Sequence, residues 1–100
     1  MSISWKHENR EAYGLFNGLP YNYDYWTYLD AGTGIYITIR GQKGKYCLRV
    51  FGSAHHVKRD NYLACSYHES FELAECAVLG MLCGIRDLFD RLIDKIKGKD

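Results

Sequence analysis

The sequence predicts an α+β domain, an antiparallel meander of three or four strands packed on one face by a long C-terminal helix. Three observations carry that prediction. Ile35–Arg40 alternates with a period of two, placing Ile35, Ile37 and Ile39 on one face and Tyr36, Thr38 and Arg40 on the other. Lys45–Phe51 alternates again, with Tyr46, Leu48 and Val50 inward, after Gly41-Gln42-Lys43-Gly44, a turn with glycines for positive φ. From Ser70 the apolar spacing changes to alternating threes and fours through Phe71, Ala74, Val78, Met81, Ile85, Leu88 and Leu92, one stripe of a helix. A chain of 100 residues has room for a single core, so residues 1–100 form one domain.

The remaining elements follow in order. Ser4–Phe16 reads as a short helix, with Ser4 as N-cap, Trp5, Ala12 and Phe16 on one side, and Asn17-Gly18 as its end. Leu19–Asp30 carries Tyr21, Tyr23, Tyr25, Trp26 and Tyr28, and its second half suits a strand. Asp30–Gly34 supplies turn chemistry, Gly52–Asp60 reads as a loop, and Tyr62–Tyr67 as a last, less regular strand. Ser70 caps the long helix, Glu72 and Glu75 suit its positive end, Lys95, Lys97 and Lys99 its negative end, and Gly98 stops it. Unbroken, that helix spans roughly 40 Å, longer than so small a domain is wide. Either Gly84 divides it or its C-terminal half overhangs the sheet. An overhang would leave Leu82, Phe89, Ile93 and Ile96 for the N-terminal helix or a second copy of the chain to cover, with Gly80 and Gly84 permitting close approach.

Composition excludes several classes. Hydrophobic residues are 47% and charged residues 25%, which argues against disorder. No apolar run approaches the ~18 residues needed to span a bilayer. The first residues lack the basic start and apolar stretch of a signal peptide. Cys47, Cys65, Cys76 and Cys83 contain no C-x-x-C pair, and Cys76 and Cys83 lie about 10 Å apart along one helix, too far to bridge. Four reduced thiols and a cytoplasmic location are the expectation.

No catalytic, cofactor or metal constellation emerges. His68-Glu69 precedes the helix cap and has Glu72 where a zinc-protease motif needs histidine. His55 and His56 are adjacent, without a close third ligand. Gly32-Thr33-Gly34 joins two strands and offers no helix N-terminus to a phosphate. Cys47 lies between Lys45 and Arg49, whose charge would lower its pKa, but no histidine base can be placed beside it.

The sharper signal is charge segregation. Residues 31–59 hold Arg40, Lys43, Lys45, Arg49, Lys58 and Arg59 and no acid, a charge of +6, while the rest holds seven bases and twelve acids, −5. The meander puts Arg40, Lys45 and Arg49 on one sheet face with Tyr36, Thr38, Cys47 and Phe51, opposite the helix. An exposed face of that composition is a binding surface. Its candidate contacts are Tyr36, Arg40, Lys43, Lys45, Arg49 and Phe51, the loop residues His55, His56, Lys58 and Arg59, and Trp26 and Tyr28 as aromatic anchors.

Gly44-Lys45-Tyr46-Cys47 through Tyr67-x-x-Ser70-x-Glu72-x-Ala74 resembles plant AP2-type and integrase arm-type DNA-binding domains over roughly residues 34–80. In those families a three-stranded sheet enters the major groove. The resemblance implies DNA contacts at Tyr36, Arg40, Lys45, Arg49 and Phe51. A second resemblance, of size, composition and lack of a catalytic site, is to small phage and mobile-element proteins of the anti-CRISPR type. It implies a non-enzymatic inhibitor occluding a host protein or nucleoprotein complex, with DNA binding as the alternative function.

Overall fold

A computed structural model describes residues 3–11, 22–42 and 44–98. The order is β1 (Lys6–Glu11), β2 (Asn22–Leu29), β3 (Tyr36–Gln42), β4 (Lys45–Phe51), α1 (Ala54–Lys58), β5 (Ala64–His68) and α2 (Phe71–Lys97). The strands form one antiparallel sheet in the order β1-β2-β3-β4-β5, a five-stranded meander with α2 on one face. The α+β class holds, with one more strand than the alternation signalled.

That strand corrects the expected N-terminal helix. Lys6–Glu11 is polar throughout and carries no stripe for a helix to bury. Its backbone pairs with β2 instead, Lys6 opposite Thr27 through Glu11 opposite Asn22. Trp5 leads into it and packs against the core, where its indole Nε1 donates to Glu75 Oε2 at 2.7 Å. Ala12, Phe16, Asn17, Gly18 and the aromatic Tyr21 lie outside the described residues.

The hairpin forms with a shorter turn than read, because Gly41 and Gln42 belong to β3 and Gly41 takes no positive φ. Gln42 pairs with Lys45, and Gly44 takes φ 83°, a left-handed conformation that costs glycine little. Between β2 and β3, Asp30 Oδ1 accepts from Gly32 N at 2.9 Å and Asp30 O from Gly34 N at 2.7 Å, closing the turn.

The main core lies between the sheet and the first half of α2. Ile37, Ile39, Leu48 and Val50 from β3 and β4 meet Ala74 and Val78, all at most 2% exposed. Each large aliphatic side chain buried there contributes about 2 kcal/mol. Phe71 extends the layer, its ring centroid 4.3 Å from that of Trp26 and 5.9 Å from that of Trp5. Ser70 caps α2 as expected, its hydroxyl accepting from Leu73 N at 3.1 Å, and Gly98 ends it. Gly84 does not divide the helix, which runs unbroken for 27 residues and stretches the molecule to 54 × 28 × 24 Å. Among the described residues no helix is long and apolar enough to cross a membrane.

Candidate functional site

The register confirms one shared face: Tyr36 lies opposite Phe51, Thr38 opposite Arg49, Arg40 opposite Cys47 and Gln42 opposite Lys45. Its exposure is the correction. Thr38 and Phe51 are fully buried, Arg40 is 6% exposed, and Arg49 and Cys47 are 5%. Tyr23 and Tyr25 are buried beside them, so this sheet is covered on both faces. Arg40, Arg49 and Phe51 therefore cannot present themselves to a partner as the alternation alone suggested.

The two arginines hold a loop. Arg49 Nη1 donates to both carboxylate oxygens of Asp60, and Arg40 Nη2 lies 3.8 Å from Asp60 Oδ1. Asp60 has φ 53°, a left-handed conformation that aspartate tolerates better than most residues. Tyr25 sits under the Arg40 guanidinium at 5.3 Å and under that of Arg10 at 3.9 Å, while Tyr62 flanks Arg49 at 4.8 Å. Burial pushes Arg40 below its ordinary pKa, opposed by Tyr25 and Asp60. Burial would lower Arg49 as well, but Cys65 and Asp60 outweigh it and hold that guanidinium above its ordinary range. Both remain cations at any physiological pH.

Above that clamp, α1 and the start of β5 reach solvent. His55, Lys58 and Arg59 are exposed on α1 and its C-cap, and His56 is half-buried. Tyr62, Leu63 and Tyr67 follow at 43%, 48% and 57% exposure. Tyr62 meets Phe51 edge-on at 6.5 Å, and Tyr67 shares the Arg49 face because it pairs with Cys47. Sequence reading passed over Tyr62, Leu63, Tyr67 and Asp60. The usable signal was the alternation Leu63, Cys65, Tyr67, which puts Cys65 and Tyr67 on one face of β5 with Leu63 just before it.

The other expected contacts divide. Lys45 is exposed at the hairpin, Tyr36 is half-buried, and Lys43 lies outside the described residues. Trp26 and Tyr28 pack against the core under α2 instead of standing out as anchors. A large flat ring at the centre of a sheet is more stable covered by the helix than left in water.

The reactive groups are also displaced from expectation. Burial raises the Cys47 thiol to about 11, against the attraction of Arg49 that was expected to lower it. Its Sγ lies 3.5 Å from Cys65 Sγ across β4 and β5, and all four cysteines are free. His55 and His56 place their rings 6.1 Å apart on α1, and no cluster of three metal-ligating side chains occurs among the described residues. On the other face of β5, Ser66 Oγ and His68 Nε2 are 2.6 Å apart.

Exposed cations on α1 and its C-cap, and the exposed Tyr62, Leu63 and Tyr67, thus flank the Asp60 segment that the two buried arginines hold. Comparison with known proteins finds no family model, no curated sequence and no solved structure that matches this chain.

Proposed function

We propose that this chain is a non-enzymatic binding protein that occludes a surface of a host protein or nucleoprotein complex, in the manner of small phage and mobile-element inhibitors. One observation carries the reading: Tyr62, Leu63 and Tyr67 stand about half exposed, and His55, Lys58 and Arg59 are exposed on α1 and its C-cap, on either side of Asp60, which the buried arginines hold. Tyrosine and arginine dominate the energetics of protein interfaces, and a contact loop already ordered loses less entropy on binding. The cations suit an acidic partner surface and would speed encounter with it. A DNA reader working through the sheet face would need Arg40, Arg49 and Phe51 in the groove, and all three are buried.

The test is affinity capture from lysate with the wild-type chain beside Tyr62→Ser/Tyr67→Ser and Lys58→Ala/Arg59→Ala, each checked for fold by circular dichroism. A partner bound by the wild type should fall by roughly tenfold or more with the tyrosine pair removed. Equal capture by wild type and both variants would place the contact elsewhere and end this reading. Duplex DNA binding that weakens steeply between about 50 and 300 mM salt would replace it with the nucleic-acid alternative.

A further inference from the structure

The second half of α2 carries an apolar stripe that nothing among the described residues covers. Leu88 is 61% exposed, Phe89 50%, Leu92 53%, Ile93 47% and Ile96 64%. The stripe is regular. Leu82, Ile85, Phe89, Leu92 and Ile96 recur at alternating gaps of three and four, the spacing of a helix-pairing seam. Leu82 and Ile85 pack against the core, so where the helix leaves the sheet its stripe still faces the sheet's side. Asp87, Asp90, Arg91 and Asp94 lie off that line.

We propose that this tail is a self-association seam on which a second copy of the chain docks antiparallel, about a two-fold axis close to Phe89 and Leu92. The area fits a pair. Five half-exposed side chains offer on the order of 100 Å² each, so pairing two copies removes roughly 1,000 Å² from water, about what a specific interface requires. Symmetry makes the patch its own complement.

The orientation follows from the sheet. A parallel partner would run its α2 into the space that the sheet occupies beside residues 71–85. An antiparallel partner brings only its last turn there. Where α2 leaves the sheet, Ile3, Tyr28, Ile35, Ile37, Val78 and Leu82 line an open apolar groove of about 340 Å³, with Asp30 and Thr33 at its rim. Setting Phe89 against the partner's Leu92 sets Ile85 against the partner's Ile96. That register carries the partner's last turn, with its Lys95 and Lys97, to the groove and to Asp30. Gly80 and Gly84, exposed with open space beyond them, fall off the seam, so close backbone approach through them plays no part.

This seam is separate from the α1 patch and stands or falls without it. Sedimentation equilibrium of the full chain up to about 100 μM should give twice the 11.6 kDa chain mass. Phe89→Gln/Leu92→Gln should weaken association roughly 100-fold while circular dichroism of the sheet and helix persists. Asp30→Asn and Lys95→Gln/Lys97→Gln, which spare the core, should each weaken it several-fold, and together no more than either alone. A single-chain mass throughout, an assembly larger than two, or self-association indifferent to Phe89 and Leu92 would overturn the seam. Fully additive effects of Asp30 and the lysines would overturn the antiparallel placement.

Discussion

Arg49 shows how one residue changes meaning once its surroundings are known. On a strand read alone it is the centre of a cationic surface; in the fold it is a buried tether between β4 and the Asp60 loop. Replacing it with Met keeps the aliphatic volume and removes the donors to Asp60. The Asp60 side chain is 46% exposed and can regain water, so the cost is moderate, about 2 kcal/mol in urea denaturation. The loop should loosen more than the core. Amide exchange at Leu63, whose N–H donates to Val50 O at 2.7 Å, should accelerate in Arg49→Met while that of Leu48 stays slow. Uniform acceleration at both sites would mean that Arg49 supports the whole sheet. An Arg40→Glu/Lys45→Glu/Arg49→Glu variant should unfold, because two of its carboxylates would be buried beside Asp60.

At the scale of elements, two glycines separate packing from propensity. A Cβ on Gly41 would collide with the Lys45 carbonyl oxygen and come within 2.7 Å of Tyr46 Cα, both backbone atoms of the facing strand. Gly41→Ala must therefore pry the β3–β4 hairpin apart, at about 3 kcal/mol or more. Gly84 lies inside α2, exposed, with no neighbour within 4 Å of an added Cβ. Gly84→Ala should stabilise the chain by about 1 kcal/mol, since alanine loses less backbone entropy in a helix. Thermal melts of the two variants should move in opposite directions. A melt lowered by Gly84→Ala would show that α2 needs its flexibility there.

At the scale of the whole molecule, the two faces of the sheet make different demands. The α2 face is an ordinary apolar core, while the opposite face buries ionisable groups and so couples stability to pH. Burial raises Tyr25 from 10 to about 12 and Cys47 from 9 to about 11. For both groups the folded chain favours the neutral form. Their stabilisation is complete below pH 9 for Cys47 and below pH 10 for Tyr25. It is lost as pH rises through 11 and 12 respectively. Stability measured by denaturant should therefore decline from about pH 9 upward, and Tyr25→Phe should flatten the upper part of that decline. An unchanged slope in Tyr25→Phe would mean that this phenol ionises in the fold as it does in water. Shape follows the other face. The Cα radius of gyration is 15.1 Å, against about 13 Å for a compact chain of this length, in keeping with a long axis of 54 Å.

The sequence by itself determined the parts whose cause is local. The period of two in β3 and β4, the hairpin between them, the Ser70 cap and the long stripe of α2 all depend on near neighbours along the chain, and all appear, the hairpin with β3 extended through Gly41 and Gln42. It also narrowed the long helix to a break at Gly84 or an overhang, because 27 helical residues outrun a small sheet, and the structure chose the overhang. Tertiary structure alone decided β1, whose polar residues have no helical or strand-like pattern and become a strand by pairing with β2. It decided the fate of the charged face too. Alternation tells which side chains share a face, but not whether the chain returns to cover it. Asp60, eleven residues beyond Arg49 and next to the basic segment, supplied the half-exposed counter-charge to the buried arginines. That contact turned a binding surface into a support and moved the exposed patch to α1, Tyr62 and Tyr67.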